Sequence, residues 1–311
     1  MKTSIPNLFI IGAPKNGTTA LAYNLSLHEN IFIPKVKEPT FFDAHIFYDY
    51  EEDFPIKNLK EYLSFYDYDE ARKAKYRLDG SVFNMYSEEA INNILKLSPN
   101  AKFIIILRDP ISASISMHKQ RLKYAGGGLR EISEDFVDCW NMIEERKKGN
   151  QFPKDCRNKF LFRYDLLYSY EMYLPFIINN IKKENLFIAF YEEYKEVPEL
   201  FFRELFDFLE VKNIEISNSI INESSIVKKS MVLLIIQKIV NILFPFLQKV
   251  GLSKNRKILK FKDFIYSFYR VKYSKIDNTS KVKEFFNKTY DYLDELKKVY
   301  SIYNKRNVKE E

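Results

Sequence analysis

The sequence predicts an α/β fold, a central parallel sheet with helices packed on its faces and a helical C-terminal part. Two observations carry that expectation. Short apolar runs alternate along the chain with segments of helical period, the signature of strands joined by crossover helices. Within "NAKFIIILRDP" the five residues from Phe103 to Leu107 are apolar without interruption, as a strand covered on both faces must be.

The elements follow in chain order. Strands are expected near 7–11, 30–33, 76–79, 101–107 and 186–191. Helices are expected over 18–27, 87–97, 110–123, 132–148, 166–182 and 197–209. Asp109 is positioned as an N-cap with Pro110 at the first helical position, so the helix from 110 has a defined start. "YAGGGLR", Tyr124 to Arg130, holds three of the 8 glycines and reads as a mobile loop. Beyond Glu210 the pattern is helical and lysine-rich, ending in "SKVKEFFNKTYDYLDELKKVY". No repeat or low-complexity linker divides the chain, so residues 1–311 read as one domain.

Composition narrows the function classes. With 311 residues, 46% of them apolar, the chain can bury a sizeable core. A net charge of +7 suits an anionic partner, but acids and bases interleave rather than forming the basic stripe of a nucleic-acid binder. Cys139 and Cys156 lack metal-ligand spacing and suit a reducing compartment. Residues Met1 to Asn7 lead straight into the first strand, leaving no room for a signal peptide, and a cytoplasmic location is expected. "MVLLIIQKIVNILFPFLQKVGL", residues 231–252, is broken by Gln237, Lys238, Asn241 and Pro245. It reads as a buried or interfacial helix pair with peripheral membrane contact rather than a span.

The chemistry starts at "FIIGAPKNGTTAL", residues 9–21. An apolar strand enters a loop with two glycines and then a helix opened by Thr18 and Thr19. Backbone N–H groups at that helix start, with Gly12 and Gly17 allowing close approach, make an anion cradle. Thr18 stands where the usual nucleotide-binding loop has lysine; the loop's lysine is Lys15. Arg108 ends the most apolar strand and offers a two-pronged fork for a second phosphate. Ser116 follows eight residues on, about two helical turns in. The strand ends without a convincing metal acid. The ligand read from these residues has two anionic ends and needs no metal. A magnesium- and ATP-dependent kinase and a non-catalytic glycan- or membrane-surface-binding protein are the alternatives.

"IGAPKNGTTAL" together with "ILRDPISASISMHKQ" resembles the sulfotransferases that use 3′-phosphoadenosine 5′-phosphosulfate (PAPS) and release 3′-phosphoadenosine 5′-phosphate (PAP). The resemblance implies a P-loop nucleotide-kinase-like fold and transfer of a sulfuryl group to a hydroxyl. It implies that Lys15, Asn16, Gly17, Thr18 and Thr19 hold the 5′-phosphosulfate, with Lys15 supporting transfer, and that Arg108 and Ser116 bind the 3′-phosphate. "KVKEPTFFD", residues 35–43, is similar to the segment carrying the acidic base of glycan sulfotransferases, which assigns that role to Glu38 and favours a glycan or glycolipid acceptor. "LDGSVFNMY" looks like a substrate-side segment and brings in Ser81 and Asn84; Lys37 is a further acceptor contact. "LFIAFYEEYKEVPELFFRELFDFLEV" looks like the family's later strand and helix. "NESSIVKKS" looks like the segment that closes over the nucleotide, adding Lys228, Lys229 and Ser230 and making 222–275 a helical closing segment.

The sequence departs from the family at three places. Thr40 stands where histidine is common, Ala113 replaces an arginine, and Asn84 falls where tyrosine is expected. Among the acids near the donor loop, Glu29 ends a helix and Asp43 follows the anchoring Phe41 and Phe42. Glu38 is left as the base, with His45 in reserve. His28 and His118 read as packed or solvated, and the Tyr and Phe density after residue 160 reads as core.

Overall fold

The computed structural model describes residues 4–124, 128–216, 226–227, 270–271 and 279–303. The glycine-rich residues 125–127 and most of the expected closing segment 222–275, including Lys228, Lys229, Ser230 and the apolar 231–252, lie outside the described residues; the described parts of that segment, 226–227 and 270–271, are paired strands where helix was expected.

Five strands form one parallel sheet: β1 (Leu8–Gly12), β2 (Ile31–Phe32), β3 (Tyr76–Asp79), β4 (Lys102–Leu107) and β5 (Leu186–Phe190), in the order β2-β3-β1-β4-β5. β1 is central. The chain leaves it by helix α1 (Thr18–Leu25) for the β2 edge, returns to β3, and only then crosses to β4 on the other side. That reversal opens a crevice beyond the carboxyl end of β1, where ligands of open α/β sheets bind. β1 and β5 are buried throughout their lengths, and so is β4 apart from Lys102, which explains their unbroken apolar runs.

Between β2 and β3 lie three short helices that the sequence pattern does not announce, α2 (Ala44–Phe47), α3 (Leu59–Ser64) and α4 (Asp69–Lys73). Helix α5 (Glu88–Leu97) starts where expected, capped by the Ser87 hydroxyl accepting from the Ala90 N–H. Helix α6 (Pro110–Leu122) carries the expected cap, with the Asp109 carboxylate accepting from the Ser112 N–H at 2.7 Å.

Two expected helices are broken. The one placed at 132–148 is two pieces, α7 (Phe136–Asn141) and α8 (Ile143–Lys147), starting at the Asp135 cap. The one placed at 166–182 is a series of single turns, α9 (Tyr164–Leu167), a 3₁₀ turn at Tyr170–Met172, and α10 (Leu174–Asn180). Pro175, at the start of α10, accounts for the break directly before that helix. It lacks an N–H and disfavours helical backbone at the residue before it, so it starts a helix and does not continue one. Helices α11 (Tyr191–Glu196) and α12 (Pro198–Leu209) follow β5, and α13 (Ser280–Phe285) and α14 (Asn287–Tyr300) close the described chain.

The chain divides into two compact units: Met1–Ser114, Arg157–Asn222 and Ser280–Glu311 form one, Ile115–Cys156 and Glu223–Thr279 the other. The first holds the five-stranded sheet. The second is organised around a buried ion pair, Arg146 to Glu131 at 2.6 Å, with the Arg146 Nε also donating to the Gln151 carbonyl at 3.0 Å. It also contains the short antiparallel pair β6 (Ile226–Val227) and β7 (Arg270–Val271).

Candidate active site

The loop after β1 is built against β4. The Ala13 N–H donates to the Ile106 carbonyl at 3.0 Å, and the Asn16 amide donates to the same carbonyl at 2.8 Å and to the Tyr170 hydroxyl at 3.1 Å. Tyr170 in turn donates to the Arg108 carbonyl at 3.1 Å, and Tyr168 to the Pro14 carbonyl at 3.3 Å. The Asn16 side chain, expected to touch the donor, is therefore buried and turned inward as an anchor for the loop. Gly12 is required by packing: a Cβ there would lie 2.5 Å from the Met85 sulfur. Gly17 is required by backbone, with φ +86°, and by the Tyr191 ring, whose carbons would lie 3.1 Å from an added Cβ.

Gly17 opens α1 without a side-chain cap, and the first turn holds no acid. Neither a side-chain cap nor an acidic residue of its first turn thus offsets the positive end of the helix dipole, the condition under which a helix N-terminus suits an anion. Thr18 is buried and Thr19 exposed at that end. Lys15 sits at the loop's tip in left-handed backbone, φ 68°. Arg108 reaches this loop from the end of β4, donating through Nη1 to the Lys15 carbonyl at 3.1 Å, while its guanidinium lies 4.3 Å from the centre of the Tyr191 ring. The loop and the strand-end arginine that the sequence assigned to one ligand thus meet in a cluster of Lys15, Gly17, Arg108 and Tyr191. Tyr191 is the residue sequence reading missed. Its signal was an aromatic at the carboxyl end of a strand whose partner ends in Arg108, the register being Leu107 opposite Phe190. Ser116 is half-buried on α6 and belongs to the second unit.

The segment carrying Glu38 is laced to the end of β3. The Gly80 N–H donates to the Lys37 carbonyl at 2.9 Å, and the Thr40 N–H to the Ser81 hydroxyl at 3.0 Å. Phe41 stacks on Tyr62 with ring centres 4.7 Å apart, and Phe42 packs edge-on against Phe9, so both are the anchors expected. Glu38 itself is exposed and paired with Lys37 at 2.6 Å. Ser81 and Asn84 were expected to face the acceptor; both are buried instead, because residues 82–86 form a 3₁₀ turn packed against β1. The Ser81 hydroxyl supports the Glu38 segment, and the Asn84 amide has no hydrogen-bond partner among the described residues.

Two further carboxylates lie beneath this segment. Burial pushes Asp43 well above the usual carboxylate range, reinforced by the charges of Asp79 and Glu38. Asp79 is also raised by burial, against the hydrogen bonds it accepts from Ser81 and from the Tyr62 hydroxyl at 2.6 Å. Beside Phe41 and Phe42 opens a groove of about 840 Å³, lined further by His45, Tyr48, Phe54 and Asn93. His45 is exposed there and shares a 2.8 Å hydrogen bond with the Ser87 hydroxyl. His28 and His118 are packed, bonded to the Lys212 and Ser133 carbonyls. No His, Cys, Asp and Glu cluster able to hold a metal ion occurs among the described residues.

The model of the Sulfotransferase domain family matches residues 6–232. The membrane-associated sulfotransferase kil1 of Dictyostelium discoideum is 28% identical over 114 residues, 37% of this chain and 22% of that protein. The mouse (Mus musculus) bifunctional heparan sulfate N-deacetylase/N-sulfotransferase 4 is 29% identical over 159 residues, 49% of this chain and 16% of that protein. The chain thus spans less than a quarter of the length of these curated relatives. Among solved structures, a sulfotransferase from Alicyclobacillus acidocaldarius superposes with a TM-score of 0.59 at 21% identity, covering 82% of this chain and 98% of that one. At that identity the likeness establishes the fold.

Proposed function

The chain belongs to the sulfotransferase domain family, and from that premise we propose that it moves a sulfuryl group from PAPS to a hydroxyl of a carbohydrate or glycolipid acceptor. The observation that carries the reading is the cluster at the carboxyl ends of β1 and β4, where Arg108 bonds the Lys15 carbonyl and stacks on Tyr191. In this reading the α1 N-terminus and Lys15 hold the phosphosulfate end of the donor. Lys15 offsets the charge that develops on the bridging oxygen as the sulfur–oxygen bond to the leaving phosphate breaks. Arg108 takes the 3′-phosphate, and its stacking on Tyr191 fixes the direction of its fork. Glu38 takes the proton of the acceptor hydroxyl as the new sulfur–oxygen bond forms.

The acceptor reading is supported by the likeness of the Glu38 segment to glycan sulfotransferases and by the groove beside it. Aromatic faces with His45 and Asn93 at the edge suit a sugar, which offers an apolar ring face and hydroxyls together. The test is a mass-shift screen of glycans, glycolipids and phenols with PAPS as donor and chelator present. A gain of one sulfuryl group on a glycan or glycolipid is expected. Transfer confined to phenols would refute the acceptor class, and no transfer to any hydroxyl would refute the activity.

Arg108→Ala is expected to weaken PAP binding by about 1.5–3 kcal/mol, the scale of a hydrogen bond to a charged group. Adenosine 5′-phosphosulfate, which lacks the 3′-phosphate, should respond much less when both are titrated calorimetrically. Equal loss for the two ligands would assign Arg108 to the fold.

A further inference from the structure

We propose that the C-terminal helix α14 belongs to the donor site and that Tyr290 is a positioning residue that holds the Asp109 carboxylate away from Arg108. The inference rests on the reading of Arg108 as a donor-phosphate ligand. Helix α14 lies beyond the residues that the family model matches, 6–232. Yet it is fastened at three points, each within two residues of Arg108, of Tyr191 or of Tyr170, which supports the cluster.

The Thr289 hydroxyl donates to Glu171 at 2.7 Å, and Glu171 adjoins Tyr170, which holds Asn16 and the Arg108 carbonyl. The Tyr290 hydroxyl donates to Asp109 Oδ2 at 2.6 Å, immediately after Arg108. Just past the helix, the Ser301 hydroxyl and the Ile302 N–H, the latter at 3.2 Å, both donate to Glu193 Oε1, two residues from Tyr191. Three carboxylates close in sequence to these residues thereby each accept a hydrogen bond from the C-terminal segment.

Asp109 is the critical one. Its Oδ1 is occupied as the cap of α6, so Oδ2 is the oxygen left to choose a partner. Without Tyr290 it can turn to the neighbouring guanidinium and compete with a phosphate for it, or stand as a negative charge against that phosphate. Burial and the Asp109 charge both push the Tyr290 phenol upward, so it remains a protonated donor at neutral pH.

Tyr290→Phe removes only the hydroxyl. Calorimetry is expected to show PAP bound about tenfold more weakly, the low end for a hydrogen bond to a charged group. Adenosine 5′-phosphosulfate should lose less than about twofold, because the competition falls on the 3′-phosphate ligand. Adding Asp109→Asn to Tyr290→Phe should recover most of the lost PAP affinity, since asparagine still caps α6 and carries no charge. A merely structural role would not produce that recovery. PAP affinity unchanged in Tyr290→Phe, equal loss for both ligands, or no recovery in the double variant would each overturn the assignment. Failure of the wild-type protein to bind PAP would instead overturn the donor reading, and this assignment with it.

Discussion

Lys15→Met is expected to lower turnover about 10²–10³-fold, the cost of removing one group aimed at charge developing in a transition state, while PAP affinity falls far less. Methionine keeps the unbranched stem of the side chain without its ammonium group and meets the same left-handed backbone that Lys15 already adopts at φ 68°. The comparison therefore isolates the charge. Steady-state transfer and PAP titration on the same preparation separate the two effects. A variant with near-normal turnover would remove Lys15 from the chemistry and leave it a loop residue.

Glu38→Gln is expected to drop turnover about 10²–10⁴-fold, the range of a general-base contribution, with PAP binding nearly unchanged. The carboxylate is exposed and held by Lys37 at 2.6 Å, on a segment stapled to the end of β3 by Ser81 and Gly80. An acceptor hydroxyl can approach it without any rearrangement of the core. Asp43 and Asp79, by contrast, are buried beneath the segment and pushed toward their neutral forms, which suits them poorly to accept a proton from an acceptor. Near-normal turnover in Glu38→Gln would transfer the role to His45, which faces the adjoining groove.

How much of this could be read from the residues depended on how local the cause was. Strands β1, β4 and β5 announced themselves because burial on both faces leaves an apolar run, and α5 and α6 because Ser87 and Asp109 cap them. The small helices α2, α3 and α4 carry too few turns for a helical period to show. The helix expected over 166–182 ran through Pro175, and the tyrosine-rich run from Tyr168 to Tyr173 is consistent with either a helix or single turns. Loop residues were legible as chemistry, not as direction. Asn16 looked like a ligand contact because it sits in the cradle, yet the Ile106 carbonyl and Tyr170, both far along the chain, turn it inward. Tyr191 was hidden for the same reason: only the β4–β5 register brings it under Arg108. The closing stretch 280–300 read correctly as helical, while its bonds and those of Ser301 to Asp109, Glu171 and Glu193 belong wholly to tertiary structure.

The central claim is that Lys15 and Arg108 form one metal-independent site for a donor with a phosphate at each end. Calorimetric titration of the wild-type protein with PAP in the presence of EDTA tests it most directly, with ATP as the comparison ligand in EDTA and in magnesium. Saturable PAP binding that chelator does not diminish, and that exceeds ATP binding in either condition, is the result this account predicts. No PAP binding in EDTA, together with ATP binding that appears only with magnesium, would contradict it and assign the site to a kinase.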